Sequence, residues 1–432
     1  MTLASALRLR AGTLTLMGAA LGTSTLPSQL SAQTPTHRGA GPARAPSLPV
    51  IETGGQHPMP DQWIDRETGH RVRKLVRREG ANSSFYFTNP PFVPRQATSG
   101  GQMVFHGAAA NGRQLFVIDL ATEAIRQLTN RVGGVNGELV APNTGEAFYQ
   151  GRDSIYSVNL RTGDTRLVIV LPRDMRGSIS TVNADATVIA GVTAAPEKDE
   201  ILRQFPAKGD YFTRIFAAHI PHSLWTLDVK TGALQTIHQE NTWLGHVQFS
   251  PTDPSLLMFC HEGPWHLLDR IWTIDTRTRQ VKKLHTRSME NEIAGHEFFS
   301  PDGRVIWYDL QMPRGVTFHL RGVDVATGTT RSYRVERDDW GIHFNVSPDQ
   351  TLFTSDGGDS SQVARTKEGM WINLLRVDGE RLVSERLVDM RHHGYRRDEP
   401  NVQFTPDSKW IVFRGNFDGD VQVYAVEVAK AR

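Results

Sequence analysis

The stretch Glu297-Phe298-Phe299-Ser300-Pro301-Asp302-Gly303, followed by Val305-Ile306-Trp307-Tyr308, is one copy of a phrase that recurs along the chain. Its counterparts are Val247-Gln248-Phe249-Ser250-Pro251, Phe344-Asn345-Val346-Ser347-Pro348-Asp349 and Val402-Gln403-Phe404-Thr405-Pro406-Asp407, the last running on into Trp410-Ile411-Val412-Phe413. Proline presets φ at the second position of a turn, and Asp or Gly suits the positions after it. Each copy therefore predicts two short strands joined by a hairpin. Weaker copies stand near Pro94, at Ala141-Pro142-Asn143 and at Asn183-Ala184-Asp185. A second phrase lies further on in each unit: an alternating strand that ends in Asp or Asn and runs into a Thr-Gly turn. Examples are Ile155 to Asn159 before Thr162-Gly163, Trp225 to Asp228 before Thr231-Gly232 and Gly322 to Asp324 before Thr327-Gly328.

The turns start near residues 94, 142, 184, 250, 300, 347 and 405, which makes seven units. Their spacing, mostly about 40 to 60 residues, is the period of a four-stranded propeller blade. The expected fold is all-β, a seven-bladed β-propeller. The last unit stops at Val421 to Val428 without a Thr-Gly turn or a final strand, whereas Glu67 to Val76 reads as a fourth strand lacking its first three. The N-terminal strand is thus expected to complete the last blade, which removes two open sheet edges. A β-sandwich, the alternative all-β arrangement, does not predict this complementarity of the ends.

Residues 1–32 carry Arg8 and Arg10, a small-residue apolar stretch from Ala11 to Gly22, and Leu30-Ser31-Ala32 as a cleavage site. They read as an export signal, so the chain is expected to be periplasmic or secreted. The rival reading is a buried first helix, but the proline-rich stretch from Pro35 to Pro49 separates it from any core. The expected organisation is a signal peptide over 1–32, a flexible linker over 33–59 and one propeller over 60–432. No later apolar run approaches the ~18 residues of a membrane span. The 48 basic residues face 46 acidic ones, and no basic cluster interleaves with aromatics, so nothing argues for nucleic acid. Cys260 is the only cysteine, which excludes an internal disulfide and a paired-cysteine zinc site.

In a propeller the innermost strands line a central channel, where side chains from different blades converge. His246 precedes the turn of one unit, His296 takes the same place in the next and His343 in the one after, with Gln403 near the equivalent place in the last. Any one of these suits a structural role. Three in register would meet at the channel and bind a divalent ion. Cys260-His261-Glu262-Gly263-Pro264-Trp265-His266 is either a wedge between blades or a substrate contact, Trp265 offering a face to a sugar ring and His261 a hydrogen bond. Asp356-Gly357-Gly358-Asp359 lacks the spaced oxygens of a calcium loop and reads as a turn.

Leu244-Gly245-His246-Val247-Gln248-Phe249-Ser250-Pro251, Met258 to Asp269, Ala294-Gly295-His296-Glu297-Phe298 and Ile342-His343-Phe344-Asn345-Val346-Ser347 together resemble the oligogalacturonate lyases, the seven-bladed lyases of polysaccharide lyase family 22. The resemblance is strongest from about Arg214 to Asp359. It implies a histidine base, an assisting arginine and manganese held by three histidines and a glutamine. Carried onto this chain, it makes His246 the base, His296 and His343 metal ligands, and an acidic oligosaccharide the substrate. The family's metal run of Gln, His and His falls here on Trp340, His343 and Asn345, leaving Asn345 and Gln403 to supply amide oxygens. Arg214 is the arginine in this reading, with His219 and His222 beside it as alternatives. The reaction implied is proton removal next to a carboxylate followed by loss of the glycosidic oxygen. A non-catalytic periplasmic propeller that binds a protein or cell-wall fragment is the competing reading.

Overall fold

Side-chain hydrogen bonds inside the repeated turns fix where each strand ends. In the Ser/Thr-Pro-Asp phrase the hydroxyl donates to the Asp carboxylate, from Ser300 to Asp302 and from Ser347 to Asp349 at 2.6 Å, and from Thr405 to Asp407 at 2.7 Å. The same hydroxyl accepts from the amide that opens the next strand, Val305, Leu352 or Trp410, at 3.0 to 3.1 Å. In the second phrase a carboxylate or amide oxygen caps the Thr-Gly turn: Asp228 accepts from Lys230 and Thr231, Asn159 from Arg161 and Thr162, and Asp324 from Thr327. Such Asx and ST turns give the backbone a local partner, which is why these sequences leave the sheet where they do.

The computed structural model describes residues 47–431, apart from 94–100, 176, 368–369 and 396–397. The export-signal segment and the turn near Pro94 lie outside the described residues. Residues Leu48–Arg432 form one compact, predominantly β unit. Three sheets are antiparallel four-strand meanders, spanning Asn136–Val170, Gly177–Glu240 and Leu244–Lys283. A fourth, of eight strands, consists of two such meanders, Ile293–Val335 and Gly341–Asp389, joined by the single parallel pairing of Arg334 with Arg381. A fifth gathers the strands between Asn82 and Gln127. The sixth combines both ends of the chain: the strand His70–Lys74 pairs antiparallel with Asp420–Lys430, Val72 opposite Val426, and Trp410–Asp418 and Gln403–Phe404 follow. Strand pairing begins ahead of the expected domain start, since Val50–Ile51 runs parallel to Gln62–Asp65.

The core lies between sheets. Val104, Leu115 and Val117 of the sheet between Asn82 and Gln127 pack on Val140, Ala147 and Tyr149 of the Asn136–Val170 meander, and Met103, Phe105 and Ile118 on the other face pack against Val412, Val423 and Ala425 near the C-terminus. Two helices depart from the all-β expectation. α1 (Glu197–Gln204) and α2 (Lys208–Ala217) interrupt the connection between the strands Val188–Ala194 and His222–Asp228. Among the described residues no helix is long and apolar enough to cross a membrane.

Candidate active site

Bulges aim the histidines. The pairing register slips between Gly245 and Gln248 and again between Gly295 and Phe298, and the residues at those slips, His246 and His296, have φ of 45° and 52°. A left-handed residue without glycine's freedom costs on the order of 1 kcal/mol and persists where its surroundings enforce it, as at a bulge that redirects a side chain. Asn401, with φ of 52°, holds the same place before the Thr405-Pro406 turn. It is Asn401, not Gln403, that corresponds to His246 in the last unit. The register also slips between Gly341 and His343.

These bulges bring three of the expected site residues together. The rings of His296 and His343 lie 5.1 Å apart between centroids, and Tyr86 makes T-shaped contacts with His343 at 5.5 Å and His246 at 6.0 Å. Phe87 packs on His343 at 4.7 Å. Asp356 lies within the strand Leu352–Gly357 and is fully buried, contrary to the turn expected from Asp-Gly-Gly. Its carboxylate accepts from His343 Nδ1 at 2.8 Å, from the His343 amide at 2.8 Å and from the Asn401 amide at 2.9 Å. In a neutral ring, donation from Nδ1 leaves the lone pair on Nε2, and Glu399 stands 3.5 Å from that atom.

Beside His246 lies a buried charge cluster. Arg270, with a side chain wholly shielded from solvent, donates from Nη1 to Glu262 at 3.0 Å and from Nε to Glu297 at 3.1 Å. Glu262 also accepts from the Trp265 indole at 2.6 Å and stands 3.6 Å from His246 Nε2. Two carboxylates thus face one guanidinium, and the imidazole of His246 adjoins the surplus negative charge. Trp265 lies over Arg270 at 4.5 Å and meets His296 at 5.2 Å. Gly295 makes room for it, because a Cβ there would come within 2.8 Å of the indole. Burial, reinforced by Arg270, holds His246 below the ordinary histidine value, while Glu297 and Glu262 oppose that shift. Burial also holds His296 well below it, with His343 and His246 adding to the effect. The Glu262 carboxyl sits at about 2, burial raising it and the charges of Arg270 and His246 outweighing that.

The other expected residues fall elsewhere. Arg214 is exposed on α2, its guanidinium 4.0 Å over Phe205, and His219 is exposed beside Phe216. His222 is buried, with Nδ1 2.8 Å from the Ile220 carbonyl and Nε2 3.2 Å from Lys198. His261 stacks on Trp272 and stands 2.9 Å from Glu240. The amide of Gln403 donates to the carbonyls of Tyr86 and Asn89, and Asn345 Oδ1 accepts from the Phe404 amide. Both line a cavity of about 610 Å³ among the Ser-Pro turns. The chemistry of His296 and His343 suits a divalent ion: burial disfavours protonation of His296, whose Nδ1 is buried without a partner, and Asp356 orients His343. Among the described residues no three His, Cys, Asp or Glu side chains form a ligand group, so the fit is to this pair.

The family model of oligogalacturonate lyase matches residues 60–431. The chain belongs to the oligogalacturonate lyase family. It is 27% identical over 381 residues to the oligogalacturonide lyase of Pectobacterium atrosepticum, covering 85% of this chain and 95% of that protein. It is 25% identical over 396 residues to the oligogalacturonate lyase of Dickeya dadantii, with the same coverage. A solved structure of an oligogalacturonate lyase in complex with manganese superimposes with a TM-score of 0.73 at 25% identity, over 86% of this chain and 96% of that one. The histidines, Arg270 and the acidic residues around them all fall within the matched span.

Proposed function

We propose that the chain cleaves short oligogalacturonides by β-elimination, with His246 as the base and a divalent metal, manganese in the related solved structure, as cofactor. The observation that carries this reading is the imidazole of His246, held below its ordinary protonation range beside a buried cluster with one carboxylate in excess. At neutral pH such an imidazole is free to accept a proton. It takes the proton from the carbon bearing the uronate carboxylate, and the glycosidic oxygen departs from the neighbouring carbon as the double bond forms. As His246 becomes imidazolium, the excess charge of Glu262 and Glu297 against Arg270 is neutralised, which stabilises the transition state with groups already in place. His296 and His343 would hold the metal. When bound, it supplies positive charge to the uronate carboxylate and acidifies the adjacent carbon. Glycoside hydrolysis would need two carboxylates flanking the scissile bond, and the buried carboxylates described at this site are engaged with Arg270 or His343.

The fold that supports this reading is a seven-bladed propeller whose last blade takes its outer strand from His70–Lys74; the pairing of both chain ends and the division of the eight-stranded sheet into two meanders support it. Export of the chain is proposed from residues 1–32 alone. The deciding experiment incubates the protein with oligogalacturonides, with and without manganese, and follows the near-ultraviolet absorbance of a conjugated double bond. His246→Ala is expected to keep fold and bound metal and to lose roughly 10²–10⁴-fold in rate. A wild-type protein that forms no unsaturated product refutes the lyase reading; a fully active variant removes His246 from the mechanism.

A further inference from the structure

Lys198 lies on α1, the first helix of the insertion that departs from the repeat pattern. The insertion leans on the candidate site: Phe212 meets Trp243 at 5.3 Å, and Phe216 packs against Gly263, where a Cβ would approach it to 2.5 Å. Gly263 follows Glu262, whose amide donates to the Trp243 carbonyl at 2.7 Å. Lys198 Nζ lies 4.8 Å from the Trp243 ring and 3.2 Å from His222 Nε2. The partner of His222 Nδ1 is the Ile220 carbonyl, which can only accept, so Nδ1 carries the hydrogen and Nε2 accepts from the ammonium. Burial holds His222 near a pKa of about 4, and the imidazole is neutral in use.

The ammonium is therefore held by an uncharged imidazole and an indole face. Among the described residues no carboxylate lies within ion-pair distance of it, although Lys74 and Lys283 have Asp418 and Asp269 at 2.5 and 2.8 Å. A partly desolvated cation without a counter-ion costs free energy, and a fold that fixes one beside its site presents it to an anion from outside. We propose that Lys198 is a substrate-binding residue that receives the carboxylate of a uronate ring adjacent to the ring undergoing elimination. This inference rests on the lyase reading and names a carboxylate subsite for that reaction, on a residue outside the histidine cluster. Every ring of an oligogalacturonide carries a carboxylate, so a chain spanning the site brings more than one. A lysine suits the outer one, as a point charge on a flexible stem.

Burial brings Lys198 down to about 8. The charges facing it are Asp199 on its own helix and Glu262 across the site, both favouring the ammonium, with neutral His222 behind. Affinity for the oligomer should then weaken as pH rises through about 8.

The test measures Lys198→Met and Lys198→Arg against wild type with manganese-loaded protein and trigalacturonate, and with trigalacturonate methyl-esterified on its carboxylates. Loss of one charge-assisted hydrogen bond predicts that Lys198→Met raises KM roughly 10- to 100-fold with kcat little changed, and prefers the acid over the ester less than wild type does. Lys198→Arg should retain most of the affinity and lose the weakening near pH 8. Equilibrium binding in a His246→Ala background separates affinity from turnover. If adding Lys198→Met to that background leaves trigalacturonate affinity unchanged, while wild type still forms the unsaturated product, the subsite is overturned and the lyase reading stays intact. Absence of unsaturated product from wild type overturns the lyase reading and this inference with it.

Discussion

Replacing Arg270 with methionine removes the guanidinium that holds Glu262 and Glu297, at 3.0 and 3.1 Å, in a place shielded from solvent. Methionine keeps much of the aliphatic packing, so the change isolates the charge. Breaking a buried pair from one side leaves an uncompensated carboxylate and costs roughly 3–5 kcal/mol. Unfolding entropy near 2.1 cal/mol/K per residue, over the matched residues 60–431, makes each kcal/mol worth a little over about 1 °C. The melting midpoint should therefore fall by roughly 4–6 °C. The assay is thermal unfolding by circular dichroism in low and in moderate salt, and the loss should be insensitive to salt because the cluster is shielded. Adding Glu297→Gln to Arg270→Met should recover part of the midpoint by removing one stranded charge. Arg203→Met, which breaks an exposed pair with Glu200, should leave the midpoint unchanged. An Arg270→Met protein that melts within a degree of wild type would refute the buried cluster, and with it the electrostatic account of His246.

Three further outcomes follow from particular contacts. Asp356→Asn keeps an acceptor for His343 but removes the negative charge, and should weaken manganese affinity about 10- to 100-fold by calorimetry without unfolding the chain. Asp309 is buried, its carboxyl pushed up to about 7, so the native state keeps a proton between pH 3.8 and about 7 that the unfolded chain has lost. Stability contributed by that proton is present below 3.8 and is gone above 7; Asp309→Asn should flatten the fall in melting midpoint between pH 5 and 8, and an equal fall in both proteins would count against the assignment. Deleting Glu67 to Val76 removes the strand paired with Asp420–Lys430 and should lower the midpoint of the whole unit in one transition, which a truncated protein melting like the intact one would contradict.

What could be read from the sequence was what local chemistry determines. The Ser300-Pro301-Asp302 and Asp228-Val229-Lys230-Thr231 turns close on their own side chains, so their hydrogen bonds are implicit in a few consecutive residues. His246, His296 and His343 were legible because repetition turns one position into three. Asp356 was misread because Asp-Gly-Gly is turn chemistry in isolation, whereas here pairing with the strand that carries His343 extends the sheet through it. Tyr86 and His343 touch across most of the chain length, and no local pattern announces such a contact. Glu262, Arg270 and Glu297 resemble ordinary surface charges until burial is known; the one available signal was the density of polar and aromatic residues from Cys260 to His266. Arg214, the arginine the resemblance implied, lies over Phe205 on the helical insertion, and the guanidinium beside His246 is that of Arg270.

In the proposed mechanism, the placement of that guanidinium decides what kind of base His246 would be. Burial alone would hold the imidazole neutral but would also oppose its taking a proton, so a merely desolvated histidine is available and weak. Glu262 and Glu297 oppose the second effect, because both favour the protonated ring, and Arg270 holds both carboxylates in place and keeps Glu262 ionised. A cluster of two carboxylates without Arg270 would tend to share protons among themselves, and one with two cations would repel the imidazolium. One cation against two anions is the composition that leaves the site a single charge short of neutrality before the reaction. In the proposed elimination, the proton taken from the substrate would supply that charge at the ring 3.6 Å from Glu262.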